Sequence, residues 1–230
     1  MAPLQTLTEV ALSTLLFVLA WGGLRLWVAN HGRIPGSDKV LHAHSWVQVA
    51  VSLALFTTTL LSAVQHDGLP TALAQTLHAQ DAFLPRYAVH LSRVFEYLDM
   101  LFFVAAGHAP DLHFAFHHLT TPYLTWFRAL RDFDGWRLFV GLNTFHHVLM
   151  HLFFAGVTST RALLPWTRYV QLVAGVACDV WIAWGKARAG GRVAGYLVSA
   201  ALLTSYFVLL TREIVMRRST AASRTRVKTE

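Results

Sequence analysis

The sequence predicts an all-α integral membrane protein with seven transmembrane helices, and three observations carry the prediction. Hydrophobic residues make up 55% of the 230 positions and charged residues 13%, with a mean hydropathy of +0.45, which leaves too little polar surface to cover a soluble domain of this length. Apolar windows of about 20 residues, long enough to cross roughly 30 Å of hydrocarbon, recur at 8–30, 40–65, 91–107, 111–130, 136–157, 162–185 and 191–215. No window shows the period-2 alternation of a membrane β-barrel, so backbone groups in lipid have to be satisfied within helices. The whole chain, 1–230, then forms a single transmembrane domain, and no soluble domain remains.

The first span opens with "MAPLQTLTEV", which lacks a basic leader, and its positive charges (Arg25, Arg33, Lys39) come at its far end. This predicts a retained span with the N-terminus outside. The second span leads into "QHDGLPTALAQTLHAQDAFLPRYAVH", 65–90, where Gly68, Pro70 and Pro85 predict a loop with an interfacial half-helix. In the third, "RVFEYLD" carries Arg93, Glu96 and Asp99 at steps of three, over about 120° of one helix. The fourth, "LHFAFHHLTTPYLTW", holds His113 and His117 on one face, with His118 turned about 100° away. In the fifth, "GLNTFHHVLMHLFF", Asn143, His147 and His151 stack at i, i+4, i+8 while His146 points elsewhere. The sixth brings Tyr169 and Gln171, and the seventh runs into the basic "MRRSTAASRTRVKTE".

Seven crossings and the positive-inside rule place that tail, 217–230, in the cytosol as a solvated, disordered extension. "RALRDFDGWR" and "GKARAGGR" are also basic and fall on the opposite side. The net charge of +7 fits membrane topology, anionic headgroups or a phosphate-bearing substrate before it fits nucleic acid. Cys178 is the only cysteine, which excludes a disulfide framework and a thiolate metal cluster.

Ionisable groups inside spans are costly, so each is a candidate functional residue. Residues equidistant from the turn of an antiparallel helix pair lie at similar depth. The midpoint of His117 and His147 is residue 132, that of Asp99 and His118 lies between 108 and 109, and that of His147 and Gln171 is 159, each inside a predicted turn. Asp99, His117, His118, His147 and Gln171 therefore share one level. His117, six residues after Asp111, sits about 9 Å from the cytosolic end. The alternative for any one of these residues is a structural bond to a neighbouring helix, and Arg93 with Glu96 reads as a structural ion pair or as one that orients the layer. His42, His44, His66, His78, His90 and His108 lie near span ends or in loops and read as interfacial.

Over roughly 90–175 the sequence resembles the fatty acid elongase family, membrane condensing enzymes that extend acyl-CoA with malonyl-CoA. That family carries KxxExxDT, HxxHH, NxxxHxxMY and TxxQxxQ motifs in this order on successive helices. "RVFEYLDM" matches the first with Arg93 for Lys and Met100 for Thr. "HFAFHH" keeps His117 and His118 of the box, with Phe114 at the leading histidine and His113 one residue early. "NTFHHVLMH" supplies Asn143, His147 and Met150, with His151 for Tyr. Of the last motif Gln171 survives, with Arg168 and Ala174 in place of the Thr and second Gln.

The resemblance implies a seven-span fold whose last six helices form a barrel-like bundle around an acyl tunnel. It implies a 3-oxoacyl-CoA synthase activity in the endoplasmic reticulum membrane, with acyl-CoA and malonyl-CoA as substrates and no metal or other cofactor. Decarboxylative condensation needs a nucleophile or base and hydrogen-bond donors in a dry site. His147 and the His113, His117, His118 box are expected at that centre, with Arg93, Glu96 and Asp99 beside it and Asp99 selecting a histidine tautomer. Asn143 and Gln171 are expected as donors to substrate oxygens. His151 and Tyr169 are expected at the substrate, and Arg161 and Arg168 at the CoA phosphates. The lipid bilayer is a partner, and the reductases and dehydratase of the elongation cycle and a homodimer are compatible with it. Two other readings stay open. HxxxHH and HHxxxH are metal-ligand spacings, as in a membrane di-iron desaturase or hydroxylase, and buried His, Asp and Glu also suit a transporter or proton-linked binding protein.

Overall fold

The structure, a computed structural model, describes residues 3–75, 83–131 and 134–227, with side chains over 3–62, 83–131 and 134–216 of these. Among the described residues eight α-helices follow one another: α1 (Leu7–His31), α2 (Ser37–Gln75), α3 (Phe83–Phe95), α4 (Tyr97–Ala105), α5 (Leu112–Thr125), α6 (Trp136–Phe154), α7 (Leu164–Arg188) and α8 (Ala194–Val227). A π-helical turn, Trp126–Arg131, extends α5, and a short 3-10 segment, Thr158–Ala162, precedes α7. Among the described residues no strand occurs.

Local sequence sets the ends. Thr6 and Glu9 form a reciprocal capping box on α1. Asp111 caps α5 by accepting from the Phe114 amide at 2.8 Å. Pro165 opens α7. Pro122 inside α5 removes one backbone donor, and the chain leaves regular α geometry four residues later.

Three segments are long and apolar enough to cross a membrane among the described residues: Leu7–His31, Ser37–Ser62 and Ala194–Met216. The other segments expected to cross, α3 with α4, α5 with its π turn, α6 and α7, are helical and carry the polar residues of the site. Three expectations need correction. The third span is two helices broken at Glu96, and it begins at Phe83. Backbone at 65–75 and 83–90 is helical where a loop was expected, and 76–82 lie outside the described residues; strong helix formers at Ala72, Leu73, Ala74 and Gln75 carry α2 onward. The tail stays helical to Val227, because Ala221, Ala222, Arg224 and Arg226 contain no breaker. Residues 228–230 lie outside the described residues.

Packing runs in a circuit. α2 packs on α6, α6 on α7, α7 on α8, α8 on α5, α5 on α3, and the broken pair α3 and α4 returns to α2. α1 lies outside it against α4 and α5, where Phe17 stacks on Tyr97 at 4.1 Å and Thr14 bonds the Tyr97 hydroxyl at 2.7 Å. Met100, fully buried, belongs to this packing.

The end of the bundle bearing residues 134–135 and 189–193 is held by buried charge. Arg128 Nε lies 2.8 Å from Asp179 Oδ1, both inaccessible to solvent, and Ser199 donates to the other Asp179 oxygen. Lys186 pairs with Asp134 at 2.5 Å. The two basic segments at this end thus pair cations with aspartates. Residues 3–5 close the same end: their carbonyls accept from Tyr87 Oη (2.6 Å), His90 Nε2 (3.0 Å) and Trp126 Nε1 (3.0 Å). His90 is therefore buried and structural, not interfacial.

Candidate active site

The break at Glu96 is where the site begins. Ending α3 and starting α4 there keeps Arg93, Glu96 and Asp99 within two turns while directing them to different neighbours. Arg93 Nη1 lies 2.5 Å from Glu96 Oε1 and donates toward His147 Nε2 at 3.0 Å, while His147 Nδ1 stands 3.1 Å from the same Glu96 oxygen. All three side chains are buried. The guanidinium and carboxylate offset each other's charge and together fix the plane of the His147 ring.

Asp99 turns instead to α2. His44 Nε2 lies 2.6 Å from Asp99 Oδ1, and Gln48 Nε2 sits 3.4 Å from both carboxylate oxygens. His44 is 7% exposed, which corrects its reading as interfacial. The histidine that Asp99 orients is this one, outside the expected set.

α5 supplies the box. His113 and His117 face one another with ring centroids 6.0 Å apart, His118 stands edge-on to His117 at 5.5 Å, and Tyr206 of α8 packs on His117 at 4.9 Å. Among the described residues the His117 ring makes these ring contacts and no hydrogen bond. His118 Nδ1 and His151 Nε2 are buried without a partner. Across the circuit, Asn143 Nδ2 donates to Gln171 Oε1 at 3.1 Å, which leaves the Gln171 amide hydrogens free.

These groups converge on a cavity of ≈ 580 Å³ whose lining reaches His108–Asp111 and Phe154 at one end of the bundle. Asp99, His113, His117, His118, His147, His151, Arg168 and Gln171 line it, so all five residues expected at one level do. Arg93, Glu96 and Asn143 stand behind the lining. Tyr169 packs on Phe207 in the apolar cluster around Leu124 and Leu172, and Arg161 is exposed on the 3-10 segment, so neither lines the cavity.

A metal fits this set poorly. One ligand atom each from Glu96, His117 and His147 lies within 4.8 Å of the others. Yet Arg93 Nη1 is already 2.5 Å from the Glu96 oxygen and 3.0 Å from His147 Nε2. A cation placed there would face a fixed positive charge at short range.

The family model of ELO, the GNS1/SUR4 family, matches residues 2–214. The chain belongs to the ELO family. Comparisons with curated proteins and with solved structures give no match. ELO membership supports a fatty acid elongation-type function and a multi-pass membrane protein, and it extends the motif resemblance from 90–175 to almost the whole chain.

Against the ELO motifs, the departures become specific. α5 is regular from Leu112 onward, so no change of helix phase brings His113 to the place of the leading box histidine. Phe114 occupies that place and packs on His118 at 4.3 Å. His113 adds an imidazole to the open side of His117 instead. His146, expected to point elsewhere, also lines the cavity and bonds Thr167 Oγ1 at 2.8 Å. Sequence reasoning missed His44, Gln48 and His146, together with Tyr206 and Glu213 of α8, which also line the cavity. For the first two a signal existed: a polar i, i+4 pair in a span otherwise apolar enough for lipid.

Proposed function

We propose that the chain is a 3-oxoacyl-CoA synthase of the elongase type, condensing malonyl-CoA with an acyl-CoA at the histidine centre. The observation that carries this reading is the convergence of His117, His118, His147 and Gln171 on one cavity beside a fixed Arg93–Glu96 pair. The circuit of helices around that cavity supports a barrel-like bundle with the acyl chain inside it.

Each group has a role that its surroundings favour. His117, with no hydrogen bond at its ring, attacks the thioester carbonyl carbon; a C–N bond forms, the C–S bond breaks, and CoA leaves as thiolate. His147, held by Glu96 and Arg93, is the base and proton carrier at this centre. Malonyl-CoA then loses CO₂, the enolate carbon attacks the acyl carbonyl, and the imidazole leaves. One proton is consumed, and it ends on the CoA thiol. Gln171, its oxygen committed to Asn143, donates N–H to the enolate or thioester oxygen. Arg168 at the mouth attracts CoA phosphates, and Arg161 lies on the surface at the same end. The mouth then faces the cytosol, as does the C-terminus, in an endoplasmic reticulum membrane that also holds the cycle's reductases and dehydratase.

One observation favours a second reading. The ligand-atom cluster of Glu96, His117 and His147 suits a metal-dependent acyl oxidation, although Arg93 opposes it. The two readings separate when purified protein is given a panel of acyl-CoAs with labelled malonyl-CoA and its metal content is measured. The condensing reading predicts labelled 3-ketoacyl product from wild type, none from His147→Ala, and no stoichiometric iron. Equal product from both proteins removes His147 from the chemistry, and oxygen-dependent acyl oxidation by an iron-loaded protein overturns the reading.

A further inference from the structure

We propose that His44 and Gln48 of α2 are positioning residues that hold the Asp99 carboxylate in place beneath the histidine centre, a role that rests on the condensing function proposed above. The described part of α2 passes as a lipid span, with Trp46, Val47, Leu53, Leu60 and Leu61 turned outward. Its buried residues are nonetheless all polar: Ser37, His44, Ser45, Gln48, Ser52 and Thr59. A span that spends its inward face on polar groups is costly in lipid, and such a face marks a functional lining.

His44 and Gln48 stand one turn apart on that face and both meet Asp99. The His44 ring is wedged between Phe95 at 5.2 Å and Phe102 at 5.0 Å, which fixes its plane and aims Nε2 at Asp99 Oδ1, 2.6 Å away. Glu96 has Arg93 as its counter-charge, whereas His44 is the ion-pair partner of Asp99 among the described residues. Asp99 lines the cavity and His44 does not. The carboxylate therefore reaches the cavity from a fixed anchor, with its charge facing imidazoles that become positive as they attack or take up protons. Loss of the anchor lets Asp99 rotate and removes that stabilisation from the transition state more than from bound substrate.

The test is a four-protein cycle read by labelled malonyl-CoA turnover and by thermal unfolding: wild type, His44→Phe, Asp99→Asn and the double variant. The expected result is a fall in kcat of about tenfold to a hundredfold in each single variant, the range typical of an outer partner that fixes a reacting group. KM for acyl-CoA stays within about twofold in this account, and the double variant is no slower than Asp99→Asn, because His44 acts through Asp99. His44→Gln, which keeps a donor on α2, recovers part of the loss. If His44→Phe lowers kcat as much in the Asp99→Asn background as in wild type, or leaves it unchanged, the role is wrong. Should His44→Phe fail to fold, Gln48→Leu takes its place in the cycle with the same two outcomes. A wild type that forms no labelled product overturns the condensing function and this role with it.

Discussion

His147 Nδ1 stands 3.1 Å from Glu96 Oε1, and Arg93 Nη1 lies 2.5 Å from that same oxygen. A cation, an anion and an imidazole from two helices thus meet at one buried atom. Removing the cation leaves Glu96 uncompensated away from water. Arg93→Met is expected to cost about 3–5 kcal/mol of stability, seen as a lowered unfolding temperature in detergent. Arg93→Lys, which restores the residue of the ELO motif, is expected to lose clearly less. Equal losses would mean that the charge at this position carries no weight.

Gln171 and Asn143 should separate by rank. Gln171 faces the cavity and Asn143 only holds its oxygen. Gln171→Leu is expected to lower kcat about 10²- to 10³-fold, the usual loss for one oxyanion donor. Asn143→Leu should cost less, since Gln171 keeps its N–H groups and loses only its orientation. Steady-state condensation rates check the order, and a larger loss for Asn143 would contradict it.

Phe114 holds the place of the box's leading histidine and packs on His118, with His113 one residue before it on the cavity wall. His113→Ala is expected to retain condensation within about tenfold of wild type, whereas His117→Ala abolishes it; the general acid–base contribution at stake is about 10²–10⁴-fold. Turnover of the two variants decides this, and loss of activity in both would place His113 within the reacting group.

At the opposite end, Asp179 is the buried partner of Arg128. Asp179→Ala is expected to destabilise by about 3–5 kcal/mol, and pairing it with Arg128→Met should recover most of that, since replacing both charges removes the uncompensated one. Activity per folded molecule should stay within about twofold in the double variant, because neither residue lines the cavity. Thermal melts with matched assays test both halves.

Gly135 begins α6 with φ of 74°, and a Cβ there would lie 2.7 Å from Ile182 Cδ1 and 2.9 Å from Cys178 Sγ. Gly135→Ala combines a left-handed conformation with overpacking, and it is expected to cost about 1–3 kcal/mol. An unchanged melting temperature would show that α7 yields at this contact.

Much of the site was legible because helix geometry converts sequence distance into depth. His117, His147 and Gln171 could be placed on one level from their turns alone, and they do share a cavity. The arithmetic assigns depth but not direction, which is why it set Asp99 level with His118 and missed His44 on α2, one helix before the first motif. His146 was lost for the same reason: neighbouring faces of α6 both look into a wide cavity. The break at Glu96 left no Gly or Pro for a reader to find. The pairings of Arg128 with Asp179 and of Lys186 with Asp134 were not legible, because sequence separation hides them.

The central claim is that an imidazole of this buried layer carries the acyl group. Intact and peptide mass measurement of the purified protein after incubation with acyl-CoA alone tests it most directly. The account predicts a mass gain of one acyl chain on the peptide bearing His117, absent in His117→Ala and discharged as 3-ketoacyl-CoA when malonyl-CoA is added. Product formation with no acylated protein at any time, or acylation at Cys178 instead, would contradict it.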